Sequence, residues 1–281
     1  MGGLAVHLSR EGSPSPEPIR RMLDVVPHRG DRTETQTLGQ VAFGVCNEPD
    51  RVTATLAGDG SRLVAFHGTL DNHREIRADL GPAGAPAPAA DTPAATALAA
   101  VEAWGNDAVS RFRGSFCGAV TDGRVVRCFR DHFGTRPLFH HDAEAGFFAA
   151  SEVKQVLEGA ALERRPNLEH LHHILFGAVE RTTAYRDVER LPPRVLGVAG
   201  PGGAVRFREY WDPSEFVETA DVDLDEAVAG TREVLRGAVR RTLTGEDAIL
   251  LSGGLDSPAL AASAGDGSRA AGVRAVTAVY P

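Results

Sequence analysis

The sequence predicts a layered α+β domain followed by the beginning of an α/β domain with a parallel sheet. Over the first ~160 residues, short apolar strands and tight turns alternate with a few helices, which is typical of layered α+β packing. Near the C-terminus, the apolar residues 249–251 lead directly into Ser252-Gly253-Gly254, a pattern typical of a buried parallel strand and a glycine-rich turn. A segment at 210–222 that contains a proline lies between them and is interpreted as a linker. The predicted domains are therefore 1–209 and 223–281.

The strands of the first domain are predicted from alternation and turn signals. An apolar run at residues 3–8 precedes a polar segment through Arg32, which predicts a surface loop with one helical turn near Ile19–Leu23. Alternation begins at Val52 and, with Leu63–Phe66, predicts a hairpin around a glycine-rich turn. Two more hairpins are predicted at 116–129 and 138–149.

Helices are predicted between these strands and after them. Apolar residues at helical spacing indicate one helix over 74–80 and another that begins after the capping residue Thr92 and ends at Trp104. A short helix from Asn167 carries three histidines. Only one pair of them shares a helix face and no carboxylate has matching spacing, which favours a solvated face over a metal site. These histidines are His170, His172 and His173. After the linker, a capping residue at Asp223 begins a helix with an apolar stripe.

The composition excludes several classes of partner. The formal net charge is −8 and the pI is about 5.7, which argues against a nucleic-acid-binding surface. Cys46, Cys117 and Cys128 show no CxxC spacing, so neither a disulfide framework nor a zinc site is indicated. The N-terminus lacks the features of a signal peptide, and no apolar run approaches the ~20 residues that a membrane-spanning helix needs. We expect a cytoplasmic protein that binds neither nucleic acid nor membranes.

The segment Ser252 to Ser257 is the strongest candidate site. A strand, a glycine-rich turn and a helix N-terminus together point unpaired backbone N–H groups at one place, which favours phosphate. Two hydroxyls and the carboxylate of Asp256 lie within these six residues and suit phosphate hydrogen bonds and metal placement. The alternative is an ordinary glycine-rich turn between strand and helix. A Walker-type loop is excluded, because Lys154 is the only lysine.

Several motifs in the same order resemble the class B asparagine synthetase family, and the resemblance runs from end to end. It implies an N-terminal-nucleophile (Ntn) glutaminase domain, an αββα sandwich, followed by an ATP-pyrophosphatase (PP-loop) domain. We expect the arginine-rich motif at 130–138 to be a scaffold, since it holds no nucleophile and base. The matched motifs are His28 to Asp31, Gly68 with Asn72, Asp91-Thr92, Arg130 to Leu138, Ser151 to Lys154, Leu191 to Pro193 and Ser252 to Ser257.

The chain departs from this family at the glutaminase site. The family places a cysteine nucleophile directly after the initiator methionine, with its own α-amine as base, whereas this chain has Gly2. Cys46 cannot replace it, because an internal cysteine has no free α-amine. By resemblance, the glutamine-binding positions fall on Ala42, His67, Gly68 and Thr69, and only Gly68 and Asp91 remain as a remnant site. This pattern is similar to the amide-forming relatives, such as β-lactam synthetases and lasso-peptide cyclases, that do not use glutamine.

The resemblance also implies an ATP site with Mg²⁺. Ser252, Gly253, Gly254, Asp256 and Ser257 would hold the pyrophosphate end with the metal at Asp256, and the backbone at Leu251 and Val279 would flank the adenine. Electrostatic clamping of the leaving pyrophosphate would be the main catalytic effect.

Three functional hypotheses remain open. The first is an ATP-dependent ligase that joins a small-molecule or peptide carboxylate to ammonia or an amine, of which this chain is the N-terminal part, because the family continues well beyond Pro281. The second is a non-catalytic Ntn-fold module that binds a peptide, a separate synthetase half or a second copy. The third is an asparagine synthetase with a misassigned start, which Ala42, His67 and Thr69 argue against.

Overall fold

The computed structural model describes residues 2–82, 84, 87–170, 181–217, 222–245, 247–265 and 273–279. The chain divides into two compact units, Met1–Asp212 and Pro213–Pro281. In the described part of the chain, no helix is both long enough and apolar enough to span a bilayer.

The described part of the first unit consists of strands and helices that follow one another in this order along the chain. They are β1 (Gly3–Ser9), α1 (Glu17–Asp24), β2 (Arg32–Leu38), β3 (Val41–Asn47), β4 (Ala54–Gly58), β5 (Leu63–Gly68), α2 (His73–Leu80), α3 (Pro93–Trp104), α4 (Ala108–Arg111), β6 (Phe116–Thr121), β7 (Val126–Arg130), β8 (Phe139–Ala143), β9 (Gly146–Ala150), α5 (Val153–Gly159), β10 (Glu189–Arg190), β11 (Val195–Ala199) and β12 (Arg206–Glu209).

Two antiparallel sheets form a sandwich. One sheet has the strand order β10-β8-β9-β1-β3-β2 and the other β12-β11-β7-β6-β5-β4. Their facing side chains build one core, to which Phe43 and Phe147 contribute from the first sheet and Ala65 and Cys128 from the second. Both hairpins predicted at 116–129 and 138–149 are confirmed, as is the β4–β5 hairpin.

Helices cover the outer faces of both sheets. On the first sheet, Ile19 and Met22 of α1 and Val156 of α5 pack in a core cluster with Ala5 of β1. On the second sheet, the core cluster joins α2, α3 and α4 to four phenylalanines that contact one another, Phe66, Phe112, Phe116 and Phe129. The predicted αββα sandwich is therefore confirmed.

The polar segment through Arg32 was incompletely predicted. The structure replaces the expected single helical turn with the two-turn helix α1, whose Ile19 and Met22 are fully buried. It also adds the β2–β3 hairpin, which the alternation pattern misses. All seven residues of β3 are buried because this strand lies between β1 and β2 and is covered on both faces, so it shows no alternation.

The arginine-rich motif at 130–138 is a scaffold, as predicted. The buried guanidinium of Arg130 donates to the carbonyls of Arg136 and Leu191, both at 2.6 Å, and to the carbonyl of Gly134. The carboxylate of Asp131 accepts from the backbone N–H groups of four residues, Phe116, Phe133, Thr135 and Arg136. Both charged groups are used to fix the loop that joins β7 to β8.

Two expectations near the end of this unit are corrected or refined. His170 does not lie on a solvated helix face, because its side chain is buried and its Nδ1 lies 2.7 Å from the Thr182 hydroxyl. His172 and His173 fall outside the described residues. Tyr210, which the sequence places in the linker 210–222, packs in the first unit, where its hydroxyl donates to the Arg130 carbonyl.

The second unit contains α6 (Leu224–Thr242), β13 (Ala248–Leu250), α7 (Asp256–Ala264) and β14 (Arg274–Val276). Asp223 caps α6 as predicted, since its side chain accepts from the N–H of Asp225. The two strands pair in parallel, also as predicted. The expectation that β13 is buried is wrong in this structure: Leu250 is 72% exposed, because β14 is its only neighbouring strand among the described residues.

Candidate functional site

Gly2, the residue at the predicted nucleophile position, directly precedes β1. Both of its backbone polar groups are engaged: its N–H donates to the Thr53 hydroxyl at 2.8 Å, and its carbonyl accepts from Nη1 of Arg29 at 2.7 Å. Gly2 is buried, and no side chain at this position can act as a nucleophile.

Charged side chains hold the strand start in place. Glu152 accepts from Nε of Arg29 and lies 2.7 Å from Nε2 of His28, while Lys154 lies 3.5 Å from its other oxygen. Burial alone would raise the pKa of Glu152, but the hydrogen bonds from Arg29 and His28 outweigh it and leave the pKa lowered. Glu152 also forms a capping box with Gln155 at the start of α5. The matched motifs at 28–31 and 151–154 are thus brought together around Gly2 by ion pairing.

His67, near the end of β5, is buried in the core between the two sheets. Its Nδ1 is 3.5 Å from the Ser151 hydroxyl and 3.8 Å from the Cys117 thiol, and its Nε2 has no hydrogen-bond partner among the described residues. Burial, followed by the positive charge of Arg136, lowers the pKa of His67 to about 3, and burial raises the pKa of Cys117 to about 12. At neutral pH this pair is an uncharged imidazole beside a thiol, so it is not an activated nucleophile.

The two residues of the remnant glutamine site, Gly68 and Asp91, lie in different parts of the first unit. Gly68, at the end of β5 with φ of +122°, donates its N–H to the Thr53 carbonyl at 2.8 Å. Asp91 is exposed and its contacts are with α2, at 3.5 Å from Arg77 and 3.9 Å from His73. Ala42 is buried against the α1 side of the first sheet and offers no polar group. The structure therefore gives Gly2 and Gly68 a shared neighbour, Thr53, that the sequence analysis did not identify.

The second candidate site is the loop from β13 to α7. Asp256 is the first residue of α7, as the sequence predicts for a helix that begins at the loop. The Ser257 hydroxyl accepts from the Ser252 N–H at 2.8 Å and lies 2.9 Å from the Ser252 hydroxyl. Gly253 has open space around it, since a Cβ placed on this residue would meet nothing within 4 Å. The loop is an exposed turn whose hydroxyls bond to its own backbone.

The residues expected to flank adenine lie beside this loop. Leu251 continues the parallel ladder, with its N–H donating to the Val276 carbonyl at 2.8 Å. Its carbonyl accepts from the Thr277 hydroxyl at 3.0 Å. Val279 is 87% exposed. Within the described residues, no three His, Cys, Asp or Glu side chains are grouped closely enough to bind a metal by themselves.

Two antiparallel sheets packed face to face and covered by helices are the fold of Ntn-type glutamine amidotransferase domains. Residues 1–211 match the model of the glutamine amidotransferase domain family, and the chain belongs to this family. Relatives that match it along most of its length include proteins named as asparagine synthetases.

Several named relatives are similar in sequence, and a solved structure shares the fold. A Mycobacterium tuberculosis protein, provisionally named a glutamine-hydrolysing asparagine synthetase, is 29% identical over 281 residues, covering 90% of this chain and 43% of the relative. The carboxyethyl-arginine β-lactam synthase of Streptomyces clavuligerus is 30% identical over 253 residues, covering 89% and 45%. The Bacillus subtilis glutamine phosphoribosylpyrophosphate amidotransferase, solved with ADP and GMP, has the same fold, with a TM-score of 0.54 at 12% identity over 98% of this chain and 65% of that one. The chain spans less than half the length of the first two relatives.

Proposed function

We propose that the chain is part of an ATP-dependent amide-forming ligase of the asparagine synthetase type, with an amidotransferase unit that does not hydrolyse glutamine. The observation that carries the proposal is Gly2: the nucleophile position has no side chain, and its N–H is bound to Thr53. Ala42 and the buried His67 support it independently, since neither offers the polar contacts of a glutamine site.

The proposed reaction has two steps. A substrate carboxylate attacks the α-phosphorus of ATP, which breaks the α–β phosphoanhydride bond and gives an acyl adenylate and pyrophosphate. Ammonia or an amine then attacks the acyl carbon, loses a proton, and displaces AMP to leave an amide. Because the amine comes directly from solution or from the substrate, glutamine hydrolysis is not needed.

The residues of the second unit fit ATP with Mg²⁺. An anionic oligophosphate is suited by the open space at Gly253, the hydroxyls of Ser252 and Ser257 and the N-terminus of the nine-residue helix α7. Asp256 supplies a carboxylate suited to Mg²⁺, which would neutralise the charge of the leaving pyrophosphate. Ser252, Gly253, Gly254 and Ser257 would hold the phosphates, and the backbone of Leu251 and Val279 the adenine.

Two measurements on the full-length protein test the proposal. The wild type should release no glutamate from glutamine, and turnover above a blank reaction would contradict the inactive amidotransferase unit. Mg-ATP binding, measured by titration calorimetry, should weaken at least about tenfold in Asp256→Asn. Asp225→Asn, at the first turn of α6, is the matched control and should bind like the wild type. Equal binding by both variants would contradict the loop assignment.

A second candidate function is a non-catalytic module that binds a separate synthetase subunit or a second copy of the chain. The exposed apolar side chains of the second unit favour it, since Leu250 is 72% and Val276 52% exposed. Light scattering on the purified chain distinguishes the partners: a dimer supports the second copy. A monomer that binds no Mg-ATP but gains this binding when a synthetase subunit is added supports the separate half.

A further inference from the structure

Thr53 contacts both Gly2, at the nucleophile position, and Gly68, of the remnant glutamine site. Its hydroxyl accepts the Gly2 N–H and its carbonyl accepts the Gly68 N–H, each at 2.8 Å. Its own N–H donates to Oδ1 of Asn47 at 2.8 Å. The hydroxyl and the carbonyl of one residue thus occupy the backbone N–H groups of both glycines, while its own N–H is held by Asn47.

The space beside Gly2 is also filled. A Cβ at this position would lie 2.5 Å from the Thr53 hydroxyl oxygen, 2.7 Å from Oδ1 of Asn47 and 2.8 Å from the Cys46 carbonyl oxygen. Real Cβ atoms do not come this close to oxygen. Lack of space therefore excludes a side chain at this position.

Two of these three oxygens are held firmly. The Cys46 carbonyl belongs to β3, which is paired on both sides. The Asn47 amide is fixed by three hydrogen bonds, since its Oδ1 accepts from Thr53 and Ala54 and its Nδ2 donates to the Ala54 carbonyl at 2.8 Å. Only the Thr53 side chain has freedom to move, and its movement would break the bond to Gly2.

We infer that Thr53, held by Asn47, closes the site around Gly2 and Gly68, so that this domain accepts only glycine at residue 2 and a restored nucleophile would not restore glutaminase activity. The inference rests on the proposed function, because it explains why the amidotransferase unit is inactive. Thr53 acts here as a positioning residue that anchors the start of β1.

The first test measures the thermal stability of the first unit. Gly2→Ala should lower Tm by about 5 °C, because it forces a methyl group among three oxygens. Gly202→Ala is the matched control, since a Cβ at that position would meet nothing within 4 Å, and its Tm should not change. In a Thr53→Ala background the same Gly2→Ala change should cost less, because the nearest contact has been removed.

Two outcomes would contradict the closure of the site by Thr53. Equal Tm values for Gly2→Ala and Gly202→Ala would show that a side chain fits at residue 2. An equal Tm loss in the two Thr53 backgrounds would show that Thr53 does not close the site. If Thr53→Ala fails to fold, Thr53→Ser, whose hydroxyl is free to rotate away from residue 2 because serine lacks the second branch at Cβ, takes its place in the cycle.

A second test separates this inference from the proposed function. Gly2→Cys, after removal of Met1, should release no glutamate from glutamine. Glutamate release by Gly2→Cys but not by the wild type would contradict the closure and leave the inactive wild-type unit intact. Release by the wild type itself would contradict the proposed function.

Discussion

The two candidate sites differ in how their polar groups are used. At Gly2, every backbone polar atom is bound to the protein, and the walls are side chains and backbone that lie in the sandwich. At Ser252 to Ser257, the loop is exposed and its hydroxyls bond to its own turn. The hydrogen bonds of Gly2 therefore contribute to the stability of the first unit. The hydroxyls of Ser252 and Ser257 can instead exchange their hydrogen bonds for bonds to a ligand. Substitutions at the closed site should therefore cost stability, and substitutions at the open loop should cost little.

The largest effect is expected at Arg130, the scaffold residue of the closed unit. Arg130→Met should lower the free energy of unfolding of the first unit by about 3 kcal/mol, because three backbone carbonyls lose a charged donor. This corresponds to a fall in Tm of about 9 °C. Thermal denaturation followed by circular dichroism measures it, with the exposed Arg124→Met as control. A similar Tm for both variants would refute the scaffold role.

Asn47 should have the next largest effect. Asn47→Ala leaves the N–H groups of Thr53 and Ala54 without an acceptor and should cost about 2 kcal/mol. Asn106→Ala, at a half-buried asparagine outside this network, is the control and should change the free energy of unfolding by less than about 0.5 kcal/mol. Urea titration of the two variants gives the values, and an equal loss in both would contradict the hydrogen-bond account.

The sequence predicts local features of this chain better than long-range ones. The hairpin at 116–129 and the loop Ser252 to Ser257 were predicted, because turn residues and alternation lie within a few positions of each other. β3 was missed, since a strand buried on both faces shows no alternation. Gly2 and Gly68 were identified, but Thr53 was not: its contact with Gly2 spans 51 residues and depends on how the strands are arranged, for which no sequence motif exists.

A third prediction concerns pH at the closed site. In the unfolded chain His67 takes up a proton below its ordinary pKa of about 6.5, whereas in the folded unit burial and the charge of Arg136 lower its pKa to about 3. Its stabilisation is therefore complete above pH 6.5 and is lost as the pH falls towards 3.

Between pH 7 and pH 5.5, the free energy of unfolding of His67→Asn should fall by about 1 kcal/mol less than that of the wild type. His7 and His140, whose pKa values burial also lowers to about 4, remain in both proteins and cancel in the comparison. His73→Asn, a change on α2, is the control. Parallel pH curves for wild type and His67→Asn would show that His67 does not remain neutral in the folded unit.

The smallest effect is expected at the open loop. Ser257→Ala removes the hydroxyl that accepts the Ser252 N–H, but Ser252 is exposed and Ser257 only half-buried, so water replaces the lost contact and the second unit should lose less than about 0.5 kcal/mol. Hydrogen exchange of the α7 amides measures this change without ligand. A loss as large as that of Asn47→Ala would show that the loop, like the Gly2 site, is a structural element whose hydroxyls cannot be released. Its hydrogen bonds would then compete with any phosphate, and the contrast between the two sites would disappear.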